Sequence, residues 1–198
     1  MILTHGANSL EIGGEDFVEI GGRRYPVVKI GNQLWMAENL DWKKSGIFIG
    51  GDITYSPNAW YYNNDETTFG YNGNKFGLLY NYAAAEIIKE GLTDGWRIPN
   101  QADCEMLKQY VADDGNKLKS TQYWNTPGTN ETGFNMFGSG WRGGSFDNYL
   151  NAAALQCDTL CSETANIAVV IRDDGTIFVG PYSSLNVGKS IRLVKDAT

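Results

Sequence analysis

The chain has 198 residues, with 16 Lys and Arg against 23 Asp and Glu for a formal net charge of −7, 13 % aromatic residues and 24 glycines. An acidic chain without a basic cluster is poorly suited to nucleic acid, whose binding depends on Lys and Arg neutralising phosphates. Six Trp and eleven Tyr supply more buriable surface than disordered segments carry, and the single histidine, His5, excludes mechanisms that need two.

Residues 1–16 are low in bulky apolar side chains and read as a flexible leader, followed by one domain over 17–198. The first residues show no basic region followed by an apolar stretch, so no secretory signal is expected. Phe17–Ile20, Arg23–Ile30 and Gln33–Leu40 are three extended segments separated by Gly21-Gly22 and Gly31-Asn32, the pattern of a β-meander. From Asp41 to Gly77 the chain is rich in Gly, Asn, Tyr and Trp without a stable period. That is a long loop region, and its aromatic content predicts that it is packed.

Two helices are expected. Leu79–Glu90 has Leu79, Tyr82, Ala83 and Ile87 on one stripe and stops at Gly91. The second follows Pro99, with Asn100 as N-cap, Asp103 in the first turn and a stripe of Cys104, Leu107 and Val111. Beyond Gly115 the sequence reads as irregular until Ile167–Arg172. There Asp173-Asp174-Gly175 turns the chain into Thr176–Val179, a hairpin signal, and Ser190–Val194 is a last strand. The aliphatic run Ile167–Ile171 is far short of the ~20 residues of a spanning helix, so no membrane insertion is expected.

Six ordered motifs carry a resemblance: Trp35–Asp41, Gly77–Ala85, Gly95–Pro99, Gly133–Asn135, Gly140–Arg142 and Ile191–Val194. Together they resemble the Fibrobacter succinogenes major paralogous domain family over roughly Phe17 to Lys195. The resemblance implies an α+β, C-type-lectin-like fold with two helices, paired terminal strands and long irregular loops forming a ligand-facing surface. After Gly-Trp-Arg, family members usually carry a Trp-Ser-Ser-Thr-Glu-like run, whereas this chain has Ala154–Thr164 without the tryptophan. The C-terminal segment of this scaffold is also diversified in variable proteins of diversity-generating retroelements, some of them phage receptor-binding tail proteins.

Catalytic chemistry finds little support. Gly188-Lys189-Ser190 lacks the upstream glycine of a phosphate loop, and three cysteines with one remote histidine do not make a zinc site. Formylglycine-generating enzymes resemble this scaffold and use a late cysteine pair, but the residues flanking Cys157 and Cys161 do not match theirs, and the thiols read as free. Calcium, as used by many C-type lectins, is the candidate ion, near Asp65 and Glu66 or in the 145–165 loop; the family does not generally require it, so no cofactor is expected.

The leading expectation is therefore a non-enzymatic recognition domain for a cell-surface protein or glycan, located on a virion or an extracellular surface. Its ligand surface is expected in the 143–186 region, at Phe146, Asn148, Tyr149, Asn151, Gln156, Asp158, Leu160, Tyr182 and Asn186. Trp60, Tyr61 and Tyr62 in the aromatic loop flank it as secondary contacts. Trp35, Trp96 and Trp141 are assigned to the core, and Arg97, Arg142 and Arg192 to structural pairing with carboxylates or carbonyls. The alternative is a structural virion or surface assembly module that forms oligomers. An enzyme related to the formylglycine-generating family ranks last.

Overall fold

A computed structural model describes residues 16–53 and 56–197, apart from the side chains of Tyr182 and Ser183. The expected leader and His5 lie outside these residues, save Asp16. The chain is α+β and mostly strand.

The meander forms as its turns dictate: β1 (Phe17–Ile20), β2 (Arg23–Ile30) and β3 (Gln33–Met36) pair antiparallel in sequence. The third strand ends at Met36, short of the expected Leu40, because the following residues leave the ladder to bond with distant segments. The N–H of Leu40 donates to Ile191 O, for example. The aromatic loop region is packed, as expected, and also has structure that its irregular sequence hid. It contains β4 (Phe48–Ile49), β5 (Asn58–Trp60), a 3-10 turn at Tyr62–Asn64 and the short helix α1 (Glu66–Phe69), capped by Asp65.

The expected helix at Leu79 begins later. Leu79–Tyr80 is strand β6, paired with β5, and α2 runs over Tyr82–Lys89 behind its N-cap, Asn81. The Asn81 side chain accepts from Ala84 N, and it is this cap that sets the start. Ala84, Ala85 and Ile88 are the buried face, rather than the stripe through Ala83 and Ile87. Helix α3 (Gln101–Tyr110) matches its expectation closely. Asn100 and Asp103 form a reciprocal capping box, and Cys104, Leu107 and Val111 are fully buried.

The largest departure lies after Gly115. The segment expected to be irregular contains β7 (Ser139–Arg142), β8 (Phe146–Tyr149) and the nine-residue β9 (Ala152–Leu160). Alanine has low strand propensity, so Ala152-Ala153-Ala154 gave no local signal. Strand β9 is held instead by its neighbours: β10 (Ala165–Arg172) pairs antiparallel with it, while β7 and β12 (Lys189–Ser190) pair parallel. The predicted hairpin joins β10 to β11 (Ile177–Ser184). Gly175 has φ +84° there, and a Cβ would lie 2.1 Å from the Asn116 amide.

The expected last strand is two. Strand β12 belongs to the large sheet, in the order β11-β10-β9-β12-β6-β5-β4, and β13 (Val194–Asp196) returns to β3 in the small sheet, β1-β2-β3-β13. The C-terminal strand thus pairs with the N-terminal meander. Ile191, Arg192 and Leu193 cross between the sheets, all buried.

Two apolar clusters result. One gathers Tyr25, Met36, Leu40, Tyr80, Ile88 and Leu193; the other gathers Trp35, Leu107, Phe134, Met136, Leu155 and Val169. Trp35 and Met36 are consecutive in β3 and point into different clusters, as strand alternation requires. Among the described residues no helix is long and apolar enough to cross a membrane.

Candidate functional site

Three segments from separate parts of the chain, 125–126, 148–151 and 172–176, meet beside Trp141 of β7. Gly143-Gly144-Ser145 returns β7 into β8, and the 148–151 turn then leads into β9. Asn148 and Leu150 both have φ +62°, a conformation asparagine tolerates better than most residues. Asn151 N donates to Asn148 O, and Asn151 O accepts from Asp173 N at 2.7 Å, which fastens this turn to the β10–β11 hairpin. The third segment clamps both. Asn125 Nδ2 donates to Asn151 Oδ1 at 2.7 Å, while Thr126 donates through N and Oγ1 to the two Asp173 carboxylate oxygens.

These segments line an open surface cleft of about 430 Å³, bordered by Trp141, Asn148, Asn151, Ala152, Arg172, Asp173 and Asp174. The volume falls within the ~300–1,000 Å³ of small-ligand sites. The lining combines a part-buried indole, two exposed asparagines, an exposed arginine and the exposed Asp174. The Thr176 backbone N–H, followed by its hydroxyl, lowers the pKa of Asp174, so the carboxylate is ionised at neutral pH. Gly140, before Trp141, has φ +60°, and a Cβ would lie 2.1 Å from Asp147 O; glycine there lets β8 approach closely.

The structure divides the sequence-predicted residues. Asn148 and Asn151 line this cleft. Phe146 and Tyr149 approach the aromatic loop, as anticipated, but their rings pack internally. Tyr62 lies 5.3 Å from Phe146 and 5.1 Å from Tyr149 between ring centroids, and Tyr149 also meets Phe69 and Phe76. The secondary contacts Trp60, Tyr61 and Tyr62 are buried, so they form the wall behind the surface instead of part of it. Gln156 is fully buried, where its Oε1 accepts from Lys189 Nζ. It is not available as a surface contact, because β9 is covered on both faces over its first six residues.

Asp158 is tied to Lys89 of α2 at 2.8 Å, and Leu160 is exposed at the far end of β9. Strand β9 spans roughly 26 Å at the usual rise per residue, which separates these positions from Asn151. Asn186 is part-buried in the turn after β11; the Tyr182 side chain is outside the described residues.

Trp141 is the residue that sequence reasoning missed. It was assigned to the core with Trp35 and Trp96, and those two are indeed buried while Trp141 is only part-buried. The available signal was its place two residues before Gly143-Gly144, at a hairpin mouth where a strand's outward face meets solvent. Arg172, which reads as the end of a strand, and Asp174, which reads as a turn residue, also line the cleft.

The other chemical candidates are structurally engaged. Asp65 caps α1, and Glu66 pairs with Lys43 at 2.6 Å. No group of three or more His, Cys, Asp and Glu gathers among the described residues. Cys157 is buried and Cys161 exposed; the Cys157 thiol hydrogen-bonds with Cys104, an interaction that, with burial, raises the Cys104 pKa. Arg97 pairs with Asp103 and Asp196, as assigned.

Tyr149→Ala should act mainly on stability. Removing a ring shared with Tyr62, Phe69 and Phe76 is expected to lower unfolding free energy by ~2 kcal/mol, measured by denaturant titration. A change under ~0.5 kcal/mol would contradict the packing role.

The molecule thus belongs to the α+β domains that carry a polar and aromatic cleft on turns braced by a sheet. A family profile, the Fibrobacter succinogenes major domain, matches residues 28–160, about two thirds of the chain, and the chain belongs to that family. The match is shorter than the motifs suggested: β1, the β10–β11 hairpin and the Ile191–Val194 motif lie outside it. No curated protein and no solved structure matches.

Proposed function

We propose that this protein is a non-enzymatic recognition domain with a C-type-lectin-like fold that binds a cell-surface ligand in the Trp141 cleft. The observation that carries this reading is the convergence of the 125–126, 148–151 and 172–176 segments, cross-bonded into one rigid turn cluster around exposed polar groups. Preorganisation of that kind reduces the entropy lost on binding. The fold assignment is supported by the return of the C-terminal strand to the N-terminal meander and by the long segments between elements. The setting is the surface of a virion or cell, with no cofactor in the binding step.

If the surface is diversified, burial restricts the positions that can vary. The exposed part of the 143–151 hairpin and the exposed Leu160–Thr164 segment tolerate change, whereas Ala152–Cys157 does not. Sequencing the gene's surroundings for a reverse transcriptase and a template repeat tests that extension.

The binding site itself is tested with Trp141→Ala combined with Asn148→Gly, glycine being chosen to keep the left-handed backbone at 148. The double variant should melt within a few degrees of the parent and lose binding to target cells at least tenfold. Unchanged binding would remove this cleft as the site.

A second reading, the assembly module, is favoured by one observation. Phe48 and Ile49 are exposed on β4, the edge of the large sheet. Light scattering that shows a stable oligomer dissociated by Phe48→Lys would support it.

A further inference from the structure

We propose that the Trp141 cleft binds a neutral saccharide and needs no bound cation to do so. This rests on the recognition reading above and names the ligand class for the same site.

The argument begins with what the cleft offers. Its one large apolar element is the Trp141 indole, and the rest of its lining is the small Ala152 and planar polar side chains. A pyranose ring matches such a wall: one face carries C–H groups that pack on an aromatic surface, while its rim carries hydroxyls that each donate and accept. Asn148 presents an amide with donor and acceptor side by side, Arg172 presents donors in a fixed fork, and Asp174 is an ionised acceptor. Vicinal hydroxyls satisfy groups of this kind in pairs.

A peptide is less well served. An extended chain is usually held by unpaired backbone groups of a strand edge or by apolar side-chain pockets. Here Asn151 N, Arg172 N and Asp173 N donate to Asn148 O, Thr176 O and Asn151 O, closing the turns on themselves. The cleft has no second apolar wall.

Charge selects within the saccharides. Arg172 faces Asp173 and Asp174, and Lys119 Nζ is held on Asp173 O behind them, so both local cations are matched by carboxylates and the cleft offers a sialylated or sulfated sugar no surplus of positive charge. The donor set also argues against a calcium bridge. Asp173 directs both carboxylate oxygens to Thr126, and Asp174 Oδ1 accepts from Thr176 N within the hairpin turn, so both carboxylates are already engaged by the turns that carry them. Calcium takes six to eight oxygens, usually from several carboxylates.

The experiment is a printed glycan array containing neutral, sialylated and sulfated glycans, probed in EDTA. It compares the parent protein with Trp141→Ala, Trp141→Phe and Arg172→Ala, each first checked by thermal melting. The expected result is binding to a subset of neutral glycans, at least tenfold weaker in Trp141→Ala and largely restored in Trp141→Phe. Binding only to acidic glycans, or no neutral glycan bound above the Trp141→Ala level, overturns the proposal.

A parallel arm separates the two levels of inference, using bacterial cells that bind the parent protein. If binding survives periodate oxidation of surface sugars yet is lost in the cleft variants, the cleft recognises a protein and the saccharide proposal falls alone. If the variants bind these cells as well as the parent does, both readings fall.

Discussion

Arg192→Ala is expected to destabilise the domain by at least ~4 kcal/mol, a large part of the ~5–15 kcal/mol typical of a domain. The side chain is fully buried where the chain crosses from the large sheet to the small one. Its Nε donates to Asn39 Oδ1 at 2.7 Å, Nη1 to Phe134 O, and Nη2 to Asn135 O at 3.0 Å, with the guanidinium over the Phe134 ring. Asn39 in turn donates to Phe76 O. One cation therefore joins the end of the meander, the loop before β7 and the crossover.

Burial pulls the Arg192 pKa down to about 9, which leaves it charged at neutral pH and surrounded by neutral oxygens. Truncation would leave Asn39 and two backbone carbonyls unsatisfied and open a cavity. Arg192→Lys should rescue only part of the loss, because one ammonium cannot reproduce the planar fork. Chemical denaturation followed by circular dichroism measures the effect. A loss under ~1 kcal/mol in the alanine variant would show that the crossover holds without this cation.

The second large effect is a pH dependence at Lys189. Its Nζ lies 3.0 Å from Gln156 Oε1, 3.1 Å from Asn166 Oδ1 and 3.4 Å from Val187 O. Burial lowers its pKa from 10.5 to about 7, opposed only by the nearby Cys157. The unfolded chain keeps the proton up to about pH 10.5, while the folded chain releases it near 7. Between these values the unfolded state binds more protons, so this group makes stability rise with pH. The destabilisation is fully present below pH 7 and disappears above 10.5.

From pH 7 to 9.5 the gain is about 3 kcal/mol, at 1.36 kcal/mol per pH unit. Tyrosines with raised pKa values act in the opposite direction at higher pH; Tyr25, pushed up to about 12 by burial, is one. The clean measurement is therefore the stability difference between the parent and Lys189→Met across this interval. That difference should shift by about 3 kcal/mol in favour of the parent as pH rises. A difference independent of pH would mean that the buried amine keeps its proton.

Much of the scaffold was legible in the sequence where the signal is local. Asn100 and Asp103 announce a capping box, and Asp173-Asp174-Gly175 announces a hairpin; both depend on residues a few positions apart. The first two meander strands have the same origin. Helix α2 was placed three residues early because Leu79 and Tyr80 are as acceptable in a helix as in the strand they form, and only pairing with β5 decides between them.

The candidate site was legible in part. Asn148 and Asn151 were found because asparagines beside glycine-rich turns mark exposed loops, and both line the cleft. Gln156 misled because a polar residue in a seemingly irregular segment reads as surface. Trp60, Tyr61 and Tyr62 misled because rings among polar residues read as exposed; here all three are buried, with Tyr62 against Phe146 and Tyr149, Trp60 bonded to Gly51 O and Tyr61 to Asp41.

The sequence by itself determined the family, the α+β class, the N-cap of α3 and the hairpin turns, since each is encoded by adjacent residues or ordered motifs. Only the tertiary structure decided that Ala152–Cys157 is a strand buried on both faces, that Gln156 faces Lys189, and that Trp141 opens toward solvent. Those outcomes depend on which segments lie beside β9 and β7, and the neighbours come from as far along the chain as β12. Burial at such positions is a property of distant partners, so no local window of residues contains it.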